Sequence, residues 1–268
     1  MNLADDTSST AVGRALAILE AIAERRRGLT NSEISRSLEI PKSSASYILR
    51  TLEQHGYVER EGDSGRYRLG LKVLSLSRGA LGGLDIRGVA LPALRQLVER
   101  IHLTVHLAIL DRGEAVYIEK VEAPGFIKMD TWVGRRMAVH STSVGKALVA
   151  YLPDTEVVGI VQAQGLKRRT PKTITARSKF LRELAQVRAQ GYAVDDEENS
   201  PGVRCVAAPI FGSRGMVEAA IGATGTTSQL DATTLPRIAQ RLKEAARHIS
   251  QQLGYHNGSK NSLPRYQP

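Results

Sequence analysis

Thr30 to His55 reads TNSEISRSLEIPKSSASYILRTLEQH, and the fold of the first part of the chain turns on that stretch. Thr30 followed by Glu33 has the capping-box spacing, in which hydroxyl and carboxylate each close an orphan amide at a helix start. Ile34 and Leu38 then fall on one helical face. Glu39 and Ile40 make a tight turn, because Pro41 restricts the residue before it to extended backbone. Proline is tolerated in a first helical turn, so a second helix can begin there. Ala45, Ile48, Leu49 and Leu52 recur with helical period and predict its packed face. The other face carries Lys42, Ser43, Ser44, Ser46, Tyr47 and Arg50, and Ser32 opens the first helix. Short hydroxyls near a helix start followed by a longer Arg are what phosphates and base edges require of a recognition helix. The alternative is the solvated face of an ordinary helical hairpin, and the helix pair alone does not separate the two.

The following residues favour DNA. Gly56 stops the helix, Tyr57-Val58-Glu59-Arg60 reads as a strand, Asp63-Ser64-Gly65 as a turn, and Arg66-Tyr67-Arg68-Leu69 as a returning strand. Two helices followed by a short basic hairpin make a winged helix-turn-helix, with Arg66 and Arg68 on one face of the wing. Upstream, Val12 to Arg25 reads as a scaffold helix with an apolar stripe of Val12, Leu16, Leu19, Ile22 and Ala23.

With 268 residues, the chain has room for two domains. It carries no apolar run long enough to span a membrane and no secretory leader at its start, which together read as a cytoplasmic protein with no membrane partner. A single cysteine, Cys205, rules out an intrachain disulfide. The net charge of +10 resembles a nucleic-acid signature, but residues 1–85 hold 12 Lys and Arg against 11 Asp and Glu. The excess therefore lies outside the helix-turn-helix, some of it in Lys167-Arg168-Arg169, read as a solvated loop. The motif, not the global charge, carries the DNA reading.

The expected order is a tail over 1–10, the winged domain over 11–70, a linker helix over 71–85, an effector domain over 86–255 and a tail over 256–268. The linker, LKVLSLSRGAL before Gly82-Gly83, has an apolar side that either forms a dimer surface or packs on its own domain. A helix from Asp85 to about Ile101 must kink or restart at Pro92. Strands are expected at Thr104–Leu110 and Glu114–Val121 around the Asp111-Arg112-Gly113 turn, at Ile127–Val133 and near Met137, and at Tyr192–Asp195, Val203–Phe211 and Val217–Thr224. Helices are expected at Ser143–Leu152, Ala176–Gln190 and Leu235–Leu253. The fold class is mixed α/β (α+β), with an antiparallel sheet flanked by helices in the second domain.

Two stretches there can carry chemistry. In His140-Ser141-Thr142-Ser143-Val144-Gly145-Lys146, hydroxyls run directly into a helix start, which favours anions. A nucleotide phosphate loop needs a Gly where His140 stands. In Asp195-Asp196-Glu197-Glu198 no His joins the carboxylates, so a solvated loop is favoured over a metal site, and no metal or cofactor is expected. Cys205 opens a strand of small apolar residues and reads as buried and unreactive. An enzyme using Cys205 or the carboxylates, and a redox sensor built on Cys205, are the rival readings.

The span from Val12 to Leu253 resembles the IclR family of bacterial transcription regulators. The resemblance rests on VGRALAILEAI, IPKSSASYILRTLEQHGYVER, RYRLG, TVHLAIL, VYIEKVE, HSTSVGKALVAYLP and GYAVDDEENSPGVRCVAAPI. It implies an N-terminal winged helix-turn-helix on a double-stranded operator, a GAF-like C-terminal domain binding a small carboxylate-bearing metabolite, and a homodimer or homotetramer. Matched position by position, it places effector contacts at Ser143, Val144, Asp195 and Cys205, at the apolar Met129, Met137 and Val203, and at Gly222 and Thr224. Gly222 departs from the pattern by removing a side-chain donor, and Met137-Ala138-Val139-His140 departs from the usual Pro-Leu-His. Trp132 is expected to line the pocket, and the ligand to carry an anionic end at Ser143 with more apolar bulk than a two-carbon acid. The implied function is a regulator, in all expectation a repressor of a catabolic operon, and not an enzyme.

Overall fold

The computed structural model describes residues 10–25, 27–82, 85–125 and 129–255, with backbone alone for 78–82 and 85. The expected tails (but for residue 10), Gly83 of the linker break and the start of the expected strand at Ile127 lie outside the described residues. The chain divides into two compact units, 1–83 and 84–268.

The first unit contains α1 (Ala11–Ala23), β1 (Leu29–Thr30), α2 (Asn31–Ser37), α3 (Lys42–Gln54), β2 (Val58–Arg60), β3 (Arg66–Leu69) and α4 (Lys72–Gly82). The capping box forms: Glu33 N–H donates to Thr30 Oγ1 at 3.3 Å, and Thr30 N–H donates to Glu33 Oε2 at 2.7 Å. Such a cap stabilises a helix by about 1 kcal/mol, which matters for a helix as short as α2. Glu39 takes a left-handed φ of 54° in the turn before Pro41. Ile18, Ile22, Ile34, Ala45, Ile48, Leu49, Val58 and Tyr67 form the core. The stripe expected on α1 is corrected, since Val12 and Leu16 are 71% and 56% exposed while Ile18, outside that stripe, is fully buried. Helix α1 is apolar on two sides, and period alone does not say which one the core takes. The strand β1 was not expected; it adds to the wing in the order β1-β3-β2, pairing Leu29 with Tyr67 and Thr30 with Arg66. On α4 and just before it, Leu71, Leu74 and Leu76 are all more than half exposed, so these side chains do not pack on their own unit.

The second unit contains α5 (Asp85–Ile101), β4 (Thr104–Asp111), β5 (Glu114–Val121), β6 (Arg136–Ala138), α6 (Ser143–Val149), α7 (Asp154–Gln164), α8 (Arg177–Gln190), β7 (Ala193–Asp196), β8 (Val203–Phe211), β9 (Val217–Thr226) and α9 (Thr234–Gln252). The strands form one antiparallel sheet in the order β6-β5-β4-β9-β8-β7. Helices α5 and α9 pack together on one face. On the other, α6 and α8 close a core with Tyr117, Ala147, Phe180, Leu184, Val187, Ala207 and Ala220. Helix α5 runs on through Pro92 rather than breaking there, forgoing the one hydrogen bond that proline cannot donate. Helix α7 was not expected, because its Val-rich DTEVVGIVQAQ lacks a clear helical stripe. The expected strand through Val133 is irregular from Met129 to Arg135, and only Arg136–Ala138 pairs, with β5. Gly191 ends α8 in the left-handed region at φ 78°.

Candidate functional site

Two sites follow from this framework, one in each unit. On α3, Lys42, Ser43, Tyr47 and Arg50 are exposed, Ser44 and Ser46 are half-buried, and Ser32 is exposed on α2. Tyr47 is 72% exposed, although a tyrosine with no surface role is usually at least partly covered. Ser44 is held by α1, its Oγ accepting from Arg14 at 3.4 Å. The two wing cations, expected on one face of the hairpin, have different partners. Arg66 makes a two-pronged pair with Glu33 at 3.0 and 3.2 Å and donates to the Gly28 carbonyl at 3.0 Å. Arg68 pairs with Glu61 at 3.1 Å but remains more than half exposed. Arg66 thus fastens the wing to the start of α2, because β1 brings Thr30 directly across from it. The carboxyl of Glu33 is held below its usual range, first by the Thr30 amide, then by the Thr30 hydroxyl and Arg66.

In the second unit one cavity of about 350 Å³ is lined by all nine residues singled out above: Met129, Met137, Ser143, Val144, Asp195, Val203, Cys205, Gly222 and Thr224. Sheet register is what brings them together. Asp195, Cys205 and Thr224 form one row across β7, β8 and β9, and Ala207, Gly222 and His106 form the next row on that face. Above the row sits the start of α6, capped by Thr142, whose Oγ1 accepts from the Gly145 amide at 3.2 Å. Among the described residues the amides of Ser143 and Val144 find no acceptor. Gly222 has a specific reason to lack a side chain: a Cβ there would lie 2.7 Å from Val144 Cγ1. The donor lost at Gly222 is therefore exchanged for the branched Val144 opposite.

The sequence reading missed Arg135, His106, Tyr117, Thr131, Asn199 and Ser200, which also line this cavity. A signal existed for His106, which interrupts the apolar run of Val105 to Leu110; its ring stacks on Tyr117 at 4.4 Å. His106 Nε2 lies 2.7 Å from Thr131 Oγ1. Burial, then the charges of Lys120 and Arg135, holds its pKa down to about 3, so the ring is neutral. Trp132 does not line the cavity; it is 55% exposed and carries the Arg135 guanidinium on its ring at 4.7 Å. Asn199 Oδ1 is buried without a hydrogen-bond partner.

The carboxylate run is not one solvated loop. Asp196 and Glu197 pair at the surface with Lys172, and Asp196 also with Arg204. Asp195 and Glu198 are buried. Asp195 Oδ1 accepts from the Glu198 amide at 2.8 Å and the Asn199 amide at 3.2 Å, yet burial raises its pKa to about 7. Glu198 meets Lys146, wholly buried, at 2.5 Å, and the same ammonium reaches Glu183 at 3.0 Å and the Val194 carbonyl at 2.8 Å. Lys146, adjacent to Gly145, is thus a structural clamp and not a phosphate ligand. Lys167, Arg168 and Arg169 are exposed as expected. Among the described residues no histidine is hydrogen-bonded to Cys205: His106 is engaged with Thr131, and His140 with the Lys167 carbonyl at 3.1 Å. Burial, then Asp195, pushes the thiol well above its usual range.

A second cavity, about 440 Å³, opens beside β8 and α9. Its aromatic side chains pack on one another, Tyr151 on Phe211 and Phe211 on Tyr255, and Lys243 is bound to the Gln190 carbonyl. It holds no buried ionisable group comparable to Asp195.

A winged helix-turn-helix joined to a separate domain with a polar, metabolite-sized cavity defines a ligand-responsive DNA-binding regulator. The chain belongs to the IclR family: residues 78–251 match the bacterial transcriptional regulator IclR C-terminal domain, and residues 11–62 match the IclR helix-turn-helix domain. It is 38% identical over 244 residues to the HTH-type transcriptional regulator XynR of Escherichia coli, covering 91% of this chain and 97% of that one. It is 34% identical over 245 residues to the HTH-type transcriptional repressor AllR of Salmonella typhimurium, covering 91% and 90%. Among solved structures, an IclR homolog complexed with 4-hydroxybenzoate from Microbacterium hydrocarbonoxydans superposes with a TM-score of 0.79 at 27% identity, covering 91% and 99%. The chain is a DNA-binding transcription regulator, and among the described residues no helix is long and apolar enough to cross a membrane.

Proposed function

We propose that this regulator is a cytoplasmic repressor whose grip on a double-stranded operator is altered by a small organic acid held in the 350 Å³ cavity. The observation that carries this reading is the convergence of Ser143, Val144, Asp195, Cys205 and Thr224, distant in sequence, on one polar cavity. An acid's carboxylate meets the free amides of Ser143 and Val144, while its body lies against Met129, Met137 and Val203. Asp195, its pKa raised to about 7 by burial, holds a proton in a large share of molecules near neutral pH and in that form donates to the ligand instead of repelling it. On DNA, Ser32, Lys42, Ser43, Ser44, Ser46, Tyr47 and Arg50 face the groove and its phosphates, and the wing presents Arg68. Arg66 contributes by positioning the wing. The winged domain takes 11–70, the linker 71–85 and the effector domain 86–255. A homodimer or tetramer suits paired half-sites, and Val12, Leu16, Leu71, Leu74 and Leu76, exposed on the first unit, are the apolar surface it needs.

The relatives' names and the raised thiol of Cys205 favour a regulator over an enzyme or a redox sensor. A reporter assay with the catabolised acid tests the reading. Asp195→Ala and Val144→Trp are expected to abolish the response while leaving operator binding at the wild-type level. A response surviving both substitutions places the effector elsewhere.

A further inference from the structure

Resting on that reading of the cavity, we propose that Arg135 receives a second carboxylate of the effector, so that the site selects small dicarboxylates over monocarboxylates of equal length. Arg135 lines the cavity. Its guanidinium is already oriented, lying on the Trp132 ring at 4.7 Å and donating one hydrogen bond to the Asp130 carbonyl. A guanidinium carries five donors in a planar fork that matches a carboxylate edge, so most of its capacity is left over.

Arg135 is a cation on the cavity wall without a counter-charge. Among the described residues no carboxylate lies within ion-pair distance of it, whereas the next residue, Arg136, reaches both Asp111 and Glu114. Three further cations of the domain are matched as well: Arg87 with Glu119, Lys120 with Glu122, Lys146 with Glu183 and Glu198. The Arg135 charge is felt inside the cavity, where it opposes protonation of His106 and favours ionisation of the Tyr117 phenol. Of the groups sharing the cavity, His106 is uncharged and Asp195, raised to about 7, is only partly ionised near neutral pH, which leaves Asp130 as the other carboxylate on its wall. An unmatched, pre-oriented cation on the wall of a partly enclosed cavity attracts an anion more strongly than the same cation in water. At about 350 Å³ the cavity lies near the lower end for metabolite sites (~300–1,000 Å³), which restricts the ligand to a short acid. Trp132, the only tryptophan in the chain, is the ring against which the guanidinium is oriented.

The test is ligand-induced thermal stabilisation of the full-length protein by matched pairs, succinate against butyrate and adipate against hexanoate. Wild type is expected to bind the better dicarboxylate about 10- to 100-fold more tightly than its monocarboxylate partner, the range of a charge-assisted bidentate contact. Arg135→Met removes that difference by lowering dicarboxylate affinity more than monocarboxylate affinity, and its remaining stabilisation by monocarboxylates shows that the variant folds. Arg135→Lys keeps the charge, loses the fork and falls between. A wild type without the preference, or an Arg135→Met protein that retains it, overturns the proposal. If Val144→Trp still blocks every acid in that case, the cavity reading stands alone. If no acid of either kind stabilises wild type, both readings fall together.

Discussion

Gly222 and Val144 form a packing pair whose strength can be worked from the structure. A Cβ at position 222 would lie 2.7 Å from Val144 Cγ1 and 3.3 Å from Ala207 Cβ. Carbon atoms prefer separations of about 3.5–4.0 Å, so Gly222→Ala places a methyl group nearly 1 Å (~0.8 Å) too close to one neighbour. Both are buried, Gly222 on the central strand β9 and Val144 on α6, and the cavity they line is the direction in which Val144 can give. Overpacking of this kind costs about 1–3 kcal/mol. Val144→Ala alone removes two buried methyl groups at about 0.8 kcal/mol each, with a further penalty for the space left behind. In the double variant the new methyl occupies part of the vacated volume, so the two losses fall short of their sum by about 1–2 kcal/mol. Thermal unfolding followed by the fluorescence of Trp132, the only tryptophan, reports on the effector unit. For a domain of this size each kcal/mol shifts the midpoint by about 2–4 °C. Losses that add to within about 0.5 kcal/mol would refute the argument, because they would mean that β9 and α6 adjust independently around position 222.

Three other outcomes are expected. Arg50→Ala weakens specific operator binding by about 1–3 kcal/mol if its guanidinium reads a base; equal losses on operator and random DNA in a gel-shift titration would restrict it to phosphate. Asp195 holds its proton to about pH 7 in the folded protein against an ordinary 3.8, so the folded state binds more protons in that window and stability falls as pH rises through it. Asp195→Asn should flatten that slope in urea titrations run between pH 4 and 8 (a range of about 4 units, spanning the shift), and an unchanged slope would locate its cause in another group. The raised thiol of Cys205 makes alkylation of the native protein at least about 100-fold slower than that of the unfolded chain, since only thiolate reacts. Fast labelling would revive the redox reading.

Local chemistry was legible in the sequence where one signal decided it. Thr30 and Glu33 formed the capping box, and Gly191 ended α8, because a few neighbouring atoms settle such features. The cavity residues taken from the family resemblance all line one space. Residues whose roles depend on register were not legible. Arg135 sits in an irregular stretch with no period, and nothing local shows that it lacks a carboxylate while Arg136 has two. Likewise, alternation put Arg66 on the outer face of the wing, but only the unexpected pairing of β1 with β3 reveals its partner, Glu33. The Asp195–Glu198 run divided between core and surface because Lys146, distant in sequence, draws Glu198 inward. On α1, two apolar sides competed for one core, and the composition of the helix favoured neither.

The single carboxylate of Glu33 both caps α2 and holds Arg66 of β3. Its consequence is kinetic as well as structural. The spacing between the groove-reading helix and the wing is set when the protein folds, so the two do not have to find each other on the DNA. A searching regulator of this build meets each candidate sequence with a rigid gauge, and the ordering cost that a loose wing would add to every encounter is already met. Cutting the Glu33–Arg66 link should therefore slow association with DNA before it alters which sequence is preferred.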